Sequence, residues 1–186
     1  MTFRSGRSVL LVSVLAVLAF FSAAPSAADA VECGDTLLTS VQLDRDLLDC
    51  PGVGLFIGAN DVTIDLNGHT LDGDEGQENA IETVTDRSGI TVKGPGVIRG
   101  FNNGIEVGGA KLKVLGVTFR DLADAALNVG PCAGSVVAAN VFVDVGQVMD
   151  FAAGGGRVLV KGNVAARVDV GIVVGDAAGA QVVGNL

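Results

Sequence analysis

Three carboxylates recur at one position of a repeating triplet, and their side chains are the best placed in this chain to do chemistry. Glu82, Glu106 and Asp150 are the middle residues of the triplets Ile81-Glu82-Thr83, Ile105-Glu106-Val107 and Met149-Asp150-Phe151. The middle residues of the other triplets are Phe56, Asn128 and Val173. Successive middle residues lie 26, 24, 22, 22 and 23 positions apart, which indicates a structural repeat.

If the triplets are β-strands stacked on one another, their middle residues form an outward-facing column with a spacing of about 4.8 Å. Two like charges about 5 Å apart repel by roughly 3 kcal/mol at an effective dielectric near 20, and by less than about 1 kcal/mol in open water. Glu82 and Glu106, which are adjacent in the column, could therefore share a proton, hold a cation such as Ca²⁺, or be hydrated on an ordinary outer face. We take Glu82, Glu106 and Asp150 as candidate catalytic or metal-binding residues, with the hydrated face as the alternative.

Each repeat divides into three short apolar runs. In one repeat they occupy residues 105–107, 112–114 and 117–119, with Gly108-Gly109 and Gly116 between them. Runs of this length, rich in Val and Ile and separated by Gly, are typical of a β-solenoid. No segment after residue 30 has helical periodicity over ten residues. The sequence predicts an all-β, right-handed parallel β-helix of about six coils of 22–26 residues over residues 54–186.

Two further columns follow from the same alignment. The residues that close the second run are Asn67, Gly94, Gly116, Asn140, Asn163 and Asn185. Since Asn tolerates left-handed backbone and can hydrogen-bond to the same side chain in the next coil, this column predicts an internal Asn ladder. The third run predicts an outer column of alternating charge, with exposed ion pairs, made of Asp72, Arg99, Arg120, Asp144 and Arg167.

The N-terminal segment predicts export. Arg4 and Arg7 precede an apolar run over residues 9–21, and Ala28-Asp29-Ala30 matches a cleavage site, so residues 1–30 are predicted to be a signal peptide. An uncleaved anchor is the alternative. We expect a secreted, periplasmic or cell-surface protein.

Export makes disulfides available. Residues 31–53 are predicted to form an N-terminal cap tied by a disulfide between Cys33 and Cys50, worth about 3 kcal/mol in the chain-entropy model. Cys132 is left over, either as a buried thiol or with a partner outside this chain.

Charge limits the classes of partner. Without residues 1–30 the chain loses two basic and one acidic side chain, so its formal charge changes from −9 to −10. An acidic surface disfavours nucleic acid and anionic membranes as partners, and there is no Trp or Tyr to stack on bases. Gly and charged residues interrupt every later apolar run, so no membrane span is expected after residue 30.

The last residues, 182–186, fall in the middle of a repeat. Because a solenoid end without a cap exposes its core and strand edges, we expect that the native chain continues, or that another chain covers this end.

The stretches Cys33-Gly34-Asp35-Thr36, Asp49-Cys50-Pro51-Gly52 and 62–71 resemble the opening of secreted bacterial parallel β-helix proteins. These form the pectate-lyase-like superfamily, which includes the NosD-type periplasmic proteins. The resemblance implies carbohydrate recognition or processing at the cell exterior, with a polysaccharide as partner. It also implies two alternatives, a non-catalytic structural or adhesive module and a polysaccharide lyase or glycoside hydrolase that uses Glu82, Glu106 and Asp150. In the lyase branch an acidic calcium site lies on such a strand stack.

Overall fold

The chain forms a parallel β-solenoid of about six turns in a computed structural model that describes residues 30–131, 133–151, 156–175 and 178–186. The described residues contain strands and turns but no helix, and therefore no helix that could cross a membrane. The all-β solenoid predicted from the sequence is confirmed. The predicted signal peptide, apart from Ala30, and Cys132 lie outside the described residues.

The described residues form seventeen strands, which recur in a threefold order as far as β12. They are β1 (Asp35–Leu37), β2 (Val41–Gln42), β3 (Leu47–Cys50), β4 (Leu55–Ile57), β5 (Thr63–Asp65), β6 (Thr70–Gly73), β7 (Asn79–Thr83), β8 (Thr91–Lys93), β9 (Val97–Arg99), β10 (Asn103–Val107), β11 (Lys113–Leu115), β12 (Thr118–Val129), β13 (Ser135–Ala138), β14 (Val141–Phe151), β15 (Val158–Lys161), β16 (Val164–Val174) and β17 (Gln181–Val183).

Every strand pairs in parallel with its equivalents in the neighbouring coils. The second strands form a seven-stranded sheet in the order β17-β15-β13-β11-β8-β5-β2. First and third strands share a ten-stranded sheet, because from β12 onwards the third strand of one coil runs directly into the first strand of the next. This arrangement places equivalent residues of successive coils in columns.

The core is a stack of aliphatic side chains that alternate with outward-facing residues. Leu55, Ile81, Ile105 and Leu127 occupy one such column and are fully buried. Two phenylalanines, Phe119 and Phe142, stack on adjacent coils with ring centroids 5.1 Å apart. Burial of such side chains contributes about 1.5–3 kcal/mol each and is the main source of the solenoid's stability.

The segment predicted to be a cap contains a coil of its own. Strands β1, β2 and β3 pair in parallel with β4, β5 and β6, so residues 35–50 begin the stack. The predicted disulfide between Cys33 and Cys50 is present, with Cα atoms 5.4 Å apart, and Cys50 is fully buried. A disulfide is compatible with an extracellular location.

The Asn ladder is present in three coils. Asn140 donates from Nδ2 to Oδ1 of Asn163 (3.0 Å), and Asn163 donates in the same way to Asn185 (2.9 Å). The prediction was wrong for Gly94 and Gly116, which lie one position earlier, in line with Ala139, Gly162 and Gly184. Asn67 shares the ladder's column but is separated from Asn140 by Pro95 and Val117.

The column of charged residues predicted for the third strands is also out of register by one residue after Arg120. Asp72 and Arg99 are paired, with Nη2 of Arg99 2.6 Å from Oδ2 of Asp72, and Arg99 aligns with Arg120. However, Arg120 aligns with Val143 rather than with Asp144. Asp144 and Arg167 lie at the next position, where the chain turns through left-handed backbone with φ of 54° in both residues. They pair with each other, with 2.7 Å between Nη2 of Arg167 and Oδ2 of Asp144.

Candidate functional site

The predicted acidic column exists in the predicted register. Phe56 aligns with Glu82, Glu82 with Glu106, and Glu106 with Asn128. Asn128 in turn aligns with Asp150. We call the outward surface formed by these five residues the carboxylate face. Glu82, Glu106, Asp150 and Phe56 are partly exposed, and Asn128 is exposed.

Asn79, which is not among the site residues predicted from the sequence, connects the two glutamates through hydrogen bonds. Its Nδ2 donates to Oε2 of Glu82 and to Oε2 of Glu106, both at 3.0 Å. Because one NH₂ group provides both donors, the two carboxylate oxygens can be no more than about 6 Å apart. The amide holds two like charges side by side, so their positions are set by the protein.

A second amide fixes the orientation of the first. Asn103, which is 7% exposed, lies one coil above Asn79 and donates from Nδ2 to its Oδ1 at 3.0 Å. The Oδ1 of Asn103 accepts in turn from the backbone N–H of Ala125 at 3.0 Å. The hydrogen bonds therefore run in one direction, from the backbone through two amides to the two carboxylates, and each bond polarises the next.

The third predicted carboxylate is further away. Asn128 lies between Glu106 and Asp150 in the column, so these two carboxylates are two coils apart, or about 10 Å. Among the described residues no three His, Cys, Asp or Glu side chains are grouped as metal ligands. An ion between Glu82 and Glu106 would have to displace Nδ2 of Asn79. Calcium binding at this face stays a prediction.

In the described residues, no principal cleft encloses the carboxylate face. Five principal clefts of 250–390 Å³ occur in the described part of the chain, and none is lined by Glu82, Glu106 or Asp150.

One of these clefts, of about 370 Å³, lies at an acidic corner where the third strands end. Its lining includes Asp49, Asp72, Asp74, Glu75 and Asp121, together with Arg99. Asp74 and Glu75, in the connection between β6 and β7, provide one wall. The only cation in the lining, Arg99, is paired with Asp72 at 2.6 Å.

No protein-family model, curated protein or solved structure matches this chain.

Proposed function

We propose that this protein is an exported carbohydrate-recognition module of the pectate-lyase-like type, and that its carboxylate face binds neutral sugars. The observation that carries the proposal is the pair of carboxylates that Asn79 holds in place at 3.0 Å. Carboxylate oxygens accept strong hydrogen bonds from hydroxyl groups, and sugars offer such donors in closely spaced sets.

The neighbours of this pair extend the surface in both directions. Phe56, one coil before Glu82, is partly exposed and offers an apolar ring on which the C–H face of a sugar can pack. Asn128, one coil after Glu106, adds an amide that can both donate and accept. A flat row with a repeat of about 4.8 Å suits an extended chain of sugar rings that lies along the solenoid axis.

The position of the carboxylate face outside the principal clefts of the described residues favours binding over catalysis. Enzymes that act on small or polymeric substrates usually enclose the reacting atoms in a concave site that excludes water. Among the described residues, none of the principal clefts encloses Glu82, Glu106 or Asp150. A disulfide-tied module that presents fixed acceptors to an extended ligand is consistent with recognition or adhesion at the cell exterior.

One observation favours a second candidate, a glycoside hydrolase. The Oε2 atoms of Glu82 and Glu106 are at most about 6 Å apart, a limit that admits the separation of about 5–5.5 Å between the two carboxylates of retaining glycosidases. In that case the protein would hydrolyse neutral polysaccharides, and Glu82→Gln or Glu106→Gln would each abolish the hydrolysis. Mass spectrometry of incubated polysaccharides detects the products.

The test of recognition is a glycan array followed by calorimetry on each ligand found. Glu106→Gln should weaken binding about tenfold or more, because it removes the charge from one of the two acceptors. The matched control is Glu78→Gln, an exposed glutamate outside the carboxylate face. Absence of any neutral ligand, or an equal loss in both variants, would contradict the proposal.

A further inference from the structure

Residues 31–186 have a formal net charge of −10, which is distributed unevenly along the solenoid. Residues 31–110 contain 14 acidic and 4 basic residues, whereas residues 111–186 contain 6 of each. The acidic character that disfavours polyanions as partners therefore belongs to the first half of the stack. The second half can present a local surface of the opposite sign.

Four cations of that half share the face of the seven-stranded sheet. They are Lys111, Lys113, Arg157 and Lys161, all exposed, and we call their surface the basic face. Strands β11, β13, β15 and β17 contain no acidic residue, and none of the four cations forms an ion pair with a described carboxylate. The two other cations of this half lie next to aspartates instead, Arg120 beside Asp121 and Arg167 beside Asp144.

Glycines help to position two of these cations. Lys111, Gly134, Arg157 and Gly179 occupy one column, two residues before Lys113, Val136, Leu159 and Gln181. A Cβ added to Gly134 would lie 3.4 Å from Cγ of Lys111, and one added to Gly179 would lie 3.5 Å from Cγ of Arg157. Each long side chain thus lies over the glycine of the next coil, so both cations are directed along the solenoid axis.

An apolar strip separates the cations. Val136 and Leu159 point outwards and are partly exposed, and together with Arg157 and Gln181 they line a cleft of about 250 Å³. Lys111 and Arg157 are two coils apart, or about 10 Å, and Arg157 and Lys161 are about 13 Å apart along the strand direction. The basic face is therefore an apolar strip with a cleft in it, bordered by cations about 10–13 Å apart.

We propose that the basic face is a second binding site, for a glycan that carries sulfate, phosphate or carboxylate groups. The anionic groups would contact the cations while the C–H faces of the sugar rings cover Val136 and Leu159. Nucleic acid fits less well, because no aromatic residue lies on these strands to stack on bases. A membrane surface fits less well too, since the apolar residues are partly buried in the sheet and do not protrude.

The site is independent of the carboxylate face, because the two occupy different sheets. Either of the two binding proposals can therefore be refuted while the other stands. The neutral-sugar proposal is tested by neutral ligands and Glu106→Gln, and the basic face is tested by anionic ligands and by substitution of its cations.

The probe pair is dextran and dextran sulfate, which share a backbone and differ in charge. The purified protein should bind dextran sulfate in calorimetry at low salt, bind it more weakly as salt is raised, and bind it more tightly than dextran. The double variant Lys111→Gln/Arg157→Gln should lose affinity about tenfold or more, since it removes two of the four cations. The control Arg45→Gln/Arg120→Gln changes the net charge equally on exposed residues outside this face and should bind as the wild type does.

Equal affinity for the two dextrans would overturn the proposal, as would equal losses in the two double variants. Binding to vesicles that contain phosphatidylserine, without binding to dextran sulfate, would overturn it in favour of a membrane surface. Melting curves of the variants by circular dichroism check that the fold is retained.

Discussion

Asn163 lies in the middle of the Asn ladder and uses its full hydrogen-bonding capacity. Its Oδ1 accepts from the backbone N–H and from Nδ2 of Asn140, at 2.9 and 3.0 Å. Its Nδ2 donates to the carbonyl of Val137 at 3.1 Å and to Oδ1 of Asn185 at 2.9 Å. The side chain is almost completely buried, so water cannot replace these partners.

The substitution Asn163→Ala removes all four bonds. At about 1 kcal/mol for each net bond, and with the buried N–H of Asn140 left without its partner, the free energy of unfolding should fall by about 3–5 kcal/mol. This is a large part of the 5–15 kcal/mol typical of a folded domain. The variant Asn163→Asp should be destabilised at neutral pH as well, because a carboxylate cannot donate to Val137 or Asn185. Acidification should partly restore that variant, since a protonated carboxyl regains one donor.

Asn67→Ala is the matched control in the same column. Asn67 is exposed and makes one side-chain bond, from Nδ2 to the carbonyl of Leu43 at 3.0 Å. Its loss, with the cost of placing Ala at a φ of 50°, should amount to about 1–2 kcal/mol. Urea unfolding followed by circular dichroism measures both variants. If Asn163→Ala were no more destabilising than Asn67→Ala, the buried side-chain bonds of the ladder would not contribute measurably to the stability of the stack.

Four further outcomes are expected. Cys33→Ser should lower the free energy of unfolding by about 3 kcal/mol, and intact-mass analysis of the native protein before and after reduction should show one disulfide. The backbone N–H of Thr70, and then His69, lower the pKa of Asp46 from its ordinary 3.8, so Asp46 stabilises the fold above about pH 4 and less as pH falls further. In urea titrations, Asp46→Asn should therefore be less stable than the wild type at pH 7, and the difference should shrink below pH 4; a constant difference would contradict this. If the carboxylate face holds Ca²⁺, millimolar Ca²⁺ should raise the melting temperature and Glu106→Gln should remove the increase, whereas no shift would leave the face hydrated. The last coil exposes apolar side chains, with Val183 59% and Leu186 86% exposed, so the chain should self-associate at tens of micromolar in sedimentation velocity, and a stable monomer would refute this.

The period of the sequence was sufficient to predict the solenoid and the register of its first strands. Triplets centred on Glu82 and Glu106 align in the structure as the repeat predicts, because the buried isoleucine before each glutamate, Ile81 or Ile105, fixes which way the glutamate points. The disulfide could be predicted equally well from the sequence, since two cysteines flank one short segment.

Residues at the corners were harder to predict. In the third coil, Gly100 marks the left-handed position after the strand, but in later coils Asp121, Asp144 and Arg167 occupy it. A charged residue there resembles the outer end of a strand, so the predicted column moved by one residue after Arg120. The backbone conformation depends on the stacking of successive coils, which local sequence preference does not reveal.

The amide that joins the glutamates was missed for a related reason. Strict alternation puts residues three apart on opposite faces, yet Asn79 reaches Glu82. A signal was present, since Asn-x-Ile-Glu occurs at 79–82 and again at 103–106, with the same separation for Asn and Glu. The basic face could not be predicted from the net charge, because the sum of charges over the chain does not show that several cations lie on one sheet.

The proposal that the carboxylate face binds neutral sugars can be tested by a nuclear magnetic resonance titration. A ¹⁵N-labelled sample would be titrated with the neutral oligosaccharide that binds best on the array. The backbone amide signals of residues 79–83 and 103–107 should shift with one common saturation curve, while those of residues 134–138 and 157–161 on the basic face should not. Shifts confined to other surfaces, or none at saturating ligand, would contradict the proposal.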